Sequence, residues 1–268
     1  MSSCPNPSCP PAPREDPGRS ARRAEAFRAP ALPRTRGAAE AELSAVAAPD
    51  GTQVFFARTG PESWPADFLD TGEQTGTGAG LVAVDHVGLT QPFDSFDEAA
   101  LFYHAVLGLE LEAVTEVAAP YGLVRTRAVT DADRRVRLAL SVSALRRGGW
   151  TPGVPEPQYV AFATDDLVGT AQRLRAAGAP LLPLPANYAD DLEARFDLPA
   201  ELIAAIRDHG LMYEEDAAGG YLHLATEVLG GRVFFEVVQR MGDYDGYGTA
   251  DAPVRMAAHR RARQTAAE

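Results

Sequence analysis

From Leu81 onward, apolar and polar positions follow two periods, and the order of those periods is used twice. Residues 82–89 form a short apolar run carrying one histidine and predict a strand. Phe96, Ala99, Ala100, Tyr103 and Val106–Leu107 then trace a helical stripe, with Asp94 or Ser95 to cap it and Gly108 to end it. Strands near 111–117, 122–129 and 136–142 follow, with a turn at 131–133. After a Gly/Pro linker at 148–157 the order returns. A strand at 158–164 leads to a helix at 166–177, capped by Asp165-Asp166 and ended by Gly178. An inserted helical segment, 188–209, precedes strands near 211–215, 220–226 and 233–239. The pattern predicts an α+β fold of two βαβββ modules, 81–147 and 157–240, side by side around one cleft.

Side chains alternate faces along a strand. His86 therefore shares a face with Val84 and Gly88, Tyr159 with Ala161, and Glu236 with Phe234 and Val238. A histidine and a carboxylate, each embedded in an apolar strand, are what a 2-His-1-carboxylate iron site uses. Tyr159 stands where the second histidine would be wanted.

Upstream the pattern weakens. Residues 1–40 are rich in Pro, Ala, Ser and Arg, without an apolar period, and read as a disordered tail. Residues 41–58 read as one hairpin, with a turn at 48–51 and a strand at 53–57. Residues 60–80 read as a linker, and 263–268 as a second tail. The Gly-rich stretch 76–80 has no lysine to make it a phosphate loop.

Composition then narrows the function classes. A 46% hydrophobic chain of 268 residues can bury a large core, and no apolar run approaches a membrane span. No secretory signal is visible at the N-terminus. The formal charge of −12 argues against nucleic acid as the main partner. Cys4 and Cys9 share the Pro-rich tail without further cysteines, so they imply neither disulfides nor a metal knuckle, which suits a reducing cytoplasm.

Each candidate has a plain reading beside the functional one. Burying the Glu236 carboxylate among Phe234, Phe235, Val237 and Val238 costs several kcal/mol without a partner. The plain alternative puts it on an edge strand against an arginine. A lone histidine such as His86 is more often a hydrogen-bonded core residue, and its match with Glu236 is what suggests a metal. Tyr159 ligates only as a tyrosinate, which a phenol of pKa about 10 yields to ferric more readily than to ferrous iron; otherwise it fills the cleft. If Gly230-Gly231 is a two-residue hairpin turn, Leu229 faces Arg232, Ala225 faces Glu236, and His223 faces Val238. His223 then lies on the face of Glu236, within about 7–8 Å, as a substrate contact or the missing imidazole. His104, His209 and His259 carry no assigned chemistry.

Several stretches together resemble a known family. They are Asp85-His86-Val87-Gly88, Leu107-Gly108-Leu109, Pro185-Ala186-Asn187-Tyr188, Gly210-Leu211-Met212-Tyr213 and residues 234–240. In that order they resemble the vicinal oxygen chelate (glyoxalase-like) superfamily, and more closely the C-terminal half of 4-hydroxyphenylpyruvate dioxygenase. Arg125-Thr126-Arg127, Asp243–Gly248 and Ala252-Pro253-Val254-Arg255 resemble further the dioxygenase-like half of bacterial two-domain 3-dehydroshikimate dehydratases. The resemblance covers about residues 81–262. It makes the hairpin within 41–80 a remnant of a preceding module, and it leaves the dehydratase barrel outside this chain.

The resemblance implies iron, Fe2+ or another divalent metal, bound by His86 and Glu236 with Tyr159 at the position of the second histidine. It implies Ser141, His223 and Tyr247 as substrate-side residues, Tyr247 within a lid at 246–252. The implied function is a metal-dependent dioxygenase-like protein acting on an aromatic or cyclic 2-oxoacid. The alternative is a non-catalytic or degenerate binding module associated with 3-dehydroshikimate dehydratase in quinate and shikimate catabolism. Implied partners are a small oxoacid and a homodimer mate or a dehydratase barrel.

Overall fold

The structure, a computed structural model, describes residues 17–33, 35–37, 40–41, 43–58, 64–73, 76–119, 122–144 and 158–265. Cys4, Cys9 and the linker at 148–157 lie outside the described residues. The chain divides into two compact units, Met1–Gln74 with Leu101–Gly108, and Thr75–Ala100 with Leu109–Glu268.

The first unit holds α1 (Pro17–Ala26) and an antiparallel hairpin of β1 (Ser44–Ala47) and β2 (Gln53–Phe56). The hairpin turns through Asp50 and Gly51, where φ is +84°. Helix α1 corrects the expectation of disorder throughout 1–40. Proline is well placed at a first helical position, and the small Ala24 packs into a core with Val46, Phe56 and Val106. Arg23 Nε also donates to the Ala105 carbonyl at 2.8 Å. Tertiary contact, which composition does not show, supplies what this Arg-rich segment lacks by itself.

The second unit carries the two modules as one sheet. The first has β3 (Ala83–Thr90), α2 (Phe96–Phe102), β4 (Glu110–Leu111), β5 (Thr115–Ala119), β6 (Gly122–Thr130) and β7 (Arg137–Ala144). The end of α2 and the π-helical turn that extends it, Tyr103–Leu107, are counted with the first unit, and Gly108 stops the turn at φ +76°. The second has β8 (Gln158–Ala163), α3 (Leu167–Ala176), β9 (Met212–Glu215), β10 (Gly219–Ala225) and β11 (Val233–Gly242). The Asp166 carboxylate caps α3 by accepting from Gly169 N at 2.9 Å. The inserted segment is two helices, α4 (Tyr188–Arg195) and α5 (Ala200–His209). They close an apolar core that includes Leu167, Leu192, Ile206, Leu211, Leu224 and Phe234.

The strand order is β4-β6-β7-β3-β8-β11-β10-β9, with β5 also paired to β6. Read outward from the antiparallel β3–β8 seam, both modules run first, last, then earlier strands. Each closes its first strand in parallel against its last, β3 on β7 and β8 on β11. The fold is therefore α+β with a repeated βαβββ order, and the proposed site residues stand along the seam. Like α1, the helix α6 (Ala252–Thr265) has no counterpart in the sequence reading. No described helix is long and apolar enough to cross a membrane.

Candidate functional site

The seam departs from simple alternation at one place. The β3–β8 register shifts between Val84 and His86, a β-bulge. Its effect is to turn Asp85 and His86 both inward while Val84 remains 54% exposed. Val84 thus does not share the buried surroundings of His86, contrary to the period-two expectation. Arg240, from β11, grips Asp85 with two parallel hydrogen bonds, Nε to Oδ2 at 2.9 Å and Nη2 to Oδ1 at 2.8 Å. It also donates to the carbonyls of Tyr244 and Gly246 and so ties down the chain after β11. Burial alone would raise the Asp85 carboxyl; the hydrogen bonds and charges of Arg240 and His86 outweigh it and hold it well below the usual carboxylate range.

His86 is 1% exposed, with Nδ1 donating to Asp85 Oδ1 at 2.7 Å. That bond leaves Nε2 pointing toward Glu236 Oε2 at 4.0 Å, with no hydrogen-bond partner. Glu236 stands opposite Ala161 on one side and Ala225 on the other, small neighbours that leave room for its carboxylate. Around it, Arg255 Nε lies 3.1 Å from Oε1 and His223 Nδ1 lies 3.8 Å from the same oxygen. Burial opposes ionisation of Glu236, but the Arg255 charge and the imidazoles of His223 and His86 bring its pKa down to about 2.

His223 faces Val238 and Ala225 faces Glu236, the register predicted from the hairpin. The turn itself is one residue longer, since Leu229 pairs with Val233 rather than Arg232. The extra residue is absorbed between Thr226 and Leu229, so the face of His223 is kept. Burial would lower the imidazole; Asp251, 3.3 Å from Nε2, and Glu236 raise it to about 9, so it is cationic at neutral pH. Asp251 is itself held by the Tyr188 hydroxyl at 2.9 Å.

Tyr159 lies flat over Gly88, where a Cβ would come within 1.8 Å of the ring. It stacks on Phe234 at 4.8 Å and meets His86 edge-on at 5.4 Å. Burial and the Glu236 charge push its phenol well above the usual value, which keeps it neutral. Tyr247 packs edge-on against His86 at 5.2 Å. With Ser141, Tyr159 and Arg255 it lines a cavity of about 40 Å³. A larger surface groove of about 260 Å³, between Arg175 and Gly210, includes none of these residues.

The structure thus brings His86, Glu236, Tyr159, Ser141, His223 and Tyr247 into one region. Arg255 is the residue that sequence reasoning missed. It comes from α6, and its guanidinium lies over the rings of Tyr159 and Phe234, 5.3 and 4.8 Å from their centroids. A helical signal was present in the buried stripe Ala252, Arg255, Ala258 and His259. His259 is structural, its Nε2 donating to the Thr226 carbonyl at 2.9 Å.

That bond carries a pH prediction. Burial first, and the neighbouring Arg255 charge, push the His259 imidazole down to about 4 from an ordinary 6.5. Between those values the unfolded chain takes up a proton that the folded chain refuses. Stability therefore falls as pH drops through that window, by about 3 kcal/mol from this group. Urea unfolding of His259→Gln between pH 7 and pH 4 should lack that portion of the slope. An unchanged slope would assign it to other groups.

Two buried imidazole nitrogens without partners, one on each side of a carboxylate, are an argument for a metal. The charges argue the other way. Glu236, Asp85 and Asp251 are matched within the protein by Arg255, Arg240 and cationic His223. Among the described residues no three His, Cys, Asp or Glu side chains stand together at metal-holding spacing. As arranged, the residues do not fit a divalent ion.

Comparison with known proteins agrees with the fold. Residues 83–209 match the profile of the Glyoxalase/Bleomycin resistance protein/Dioxygenase superfamily. The chain is 36% identical to a 3-dehydroshikimate dehydratase of Pseudomonas putida, over 92% of this chain and 40% of that protein. It is 27% identical to a 4-hydroxyphenylpyruvate dioxygenase of a Pseudomonas species, over 68% of this chain and 54% of the relative. Among solved structures, a xylose isomerase-like TIM barrel/4-hydroxyphenylpyruvate dioxygenase fusion protein superposes with a TM-score of 0.76 at 33% identity, covering 93% of this chain and 40% of the fusion. A 4-hydroxymandelate synthase variant from Streptomyces coelicolor shares the fold at a TM-score of 0.71 and 21% identity, covering 93% of this chain and 75% of the synthase. The chain thus spans about 40% of the length of the dehydratases it matches.

Proposed function

The chain belongs to the Glyoxalase/Bleomycin resistance protein/Dioxygenase superfamily, and from that premise we propose that it is a dioxygenase-like module that serves a 3-dehydroshikimate dehydratase without oxygenating an oxoacid itself. The observation that carries this reading is the content of the cleft. Arg255 stands against Glu236 where a substrate-binding ion would be wanted, and Tyr159 fills the space over Gly88. About 40 Å³ remains, room for a water or two, whereas small-molecule pockets run to about 300–1,000 Å³. The partner is a dehydratase barrel, in keeping with the relatives of which this chain spans a part, and the setting is the cytoplasm.

A second reading has its own support in the unpaired His86 Nε2 and His223 Nδ1. It is a metal-dependent dioxygenase-like enzyme for an aromatic or cyclic 2-oxoacid, with Fe2+ held at Glu236. In it Tyr159 is packing rather than a ligand, and Ser141 and Tyr247 contact substrate. Oxygen-electrode measurements separate the two. After anaerobic loading with ferrous iron, the full chain should show no oxygen uptake dependent on 4-hydroxyphenylpyruvate. Added to a 3-dehydroshikimate dehydratase from the same cell, it should raise that enzyme's thermal stability or turnover. Substrate-dependent oxygen uptake would transfer the assignment to the second reading.

A further inference from the structure

We propose that Arg255 is a built-in counter-cation that holds the place of a divalent ion beside the Glu236 carboxylate, between His86 Nε2 and His223 Nδ1. Nitrogen and oxygen ligands bind first-row divalent ions at about 2.0–2.2 Å, so two donors of one ion stand no more than about 4.4 Å apart. His86 Nε2 is 4.0 Å from Oε2 and His223 Nδ1 is 3.8 Å from Oε1. Each imidazole–carboxylate pair taken alone is within reach of an ion, and neither nitrogen has a hydrogen bond to give up, although His223 must release the proton that makes it cationic before it can ligate.

The outer groups are also in place. Asp85 engages the far nitrogen of His86 and Asp251 that of His223, at 2.7 and 3.3 Å. Carboxylates in that position orient ligand imidazoles and raise their basicity. What stands in the way is Arg255. Its Nε is 3.1 Å from Oε1 yet makes no well-aligned hydrogen bond. Charge and its seat over the faces of Tyr159 and Phe234 hold it, rather than a directed bond. A guanidinium and a divalent ion cannot share that oxygen, because the repulsion of two cations at such range is large in a buried setting. Arg255 is thus a specificity-determining residue of the cleft.

The inference rests on the metal-free cleft of the first reading, but its test is separate from oxygen uptake. The probe is Co2+, followed by visible absorption and equilibrium dialysis on the full chain. Wild type should retain almost none at about 100 μM free ion, while Arg255→Met should take up about one equivalent. The uptake should vanish when Glu236→Gln is added to Arg255→Met. Co2+ should also raise the Tm of Arg255→Met and leave that of wild type unmoved, since an ion that binds only the folded state stabilises it. Arg255→Gln, polar but neutral, guards against loss of fold, and uptake by it supports the proposal equally. Wild type binding one equivalent as tightly as the Arg255 variants would overturn the proposal. So would a folded Arg255→Gln or Arg255→Met that binds no more than wild type, or failure of both variants to fold even with Co2+ present.

Discussion

Gly88→Ala is expected to destabilise the protein by about 3 kcal/mol, at the upper end of what overpacking by one methyl costs. The added Cβ would stand 1.8 Å from Cε1 and 2.4 Å from Cζ of Tyr159. The ring has no direction of retreat. Phe234 backs it at 4.8 Å nearly in parallel, and the edge of His86 is 5.4 Å from its centroid. Strand β3 cannot retreat either, being paired on both sides, to β7 and to β8. For a unit of this size the loss is a fall of about 6–12 °C in Tm. Adding Tyr159→Ala should recover much of it, giving a favourable coupling of about 2 kcal/mol in a double-mutant cycle. Additive losses from the two changes would mean that the ring does not rest on Gly88.

Asp85→Ala should cost still more, about 3–5 kcal/mol, the range for removing one partner of a buried ion pair. The guanidinium of Arg240 is only 16% exposed, and Asp85 gives it both of its charged contacts. Its remaining acceptors are two backbone carbonyls. The His86 Nδ1 proton would lose its acceptor in the same step. Chemical denaturation of Asp85→Ala, Arg240→Met and the double variant measures this directly. The double variant should be more stable than Asp85→Ala alone, because it leaves no buried charge unmatched. Equal stability of Asp85→Ala and wild type would show Arg240 to be solvated enough to stand alone.

The sheet was legible in the sequence because each of its strands obeys a local rule. Short runs of strand-forming residues bounded by turn residues marked β3, β6, β7, β8, β9, β10 and β11, whereas the single strand read near 111–117 is two, β4 and β5. Gly108 and Gly178 marked where helices stop, and both take positive φ. The face of His223 agreed with the expectation as well, although the turn is one residue longer than the Gly230-Gly231 reading and the extra residue is absorbed beside it. Three features escaped, each for a physical reason. The bulge at Asp85 depends on Arg240, which is 155 residues away in sequence. Helix α1 depends on a cradle for Ala24 that its own composition does not announce. Arg255 sits among Arg260, Arg261 and Arg263, where one buried arginine looks like any solvated one. The clue lay elsewhere, in Glu236. A carboxylate embedded between aromatic and branched residues demands a cation, and the sequence reading offered it iron where the structure offers Arg255.

The mirrored strand order has a consequence for how the chain acquires this site. In each module the first strand finds its parallel partner only when the last is made, so the contacts that define the seam join residues far apart in sequence. Such long-range pairing makes folding slow relative to helical proteins of the same size. During synthesis β3 and β8 can meet early, but β8 waits for β11, and Glu236 waits for Arg255 on α6. A nascent chain ending before residue 233 therefore leaves an open edge on β8, a surface prone to pairing with another chain. Helix α6, which supplies Arg255, follows every strand of the sheet in the chain, so the charge balance of the cleft is completed only after the whole sheet has been made.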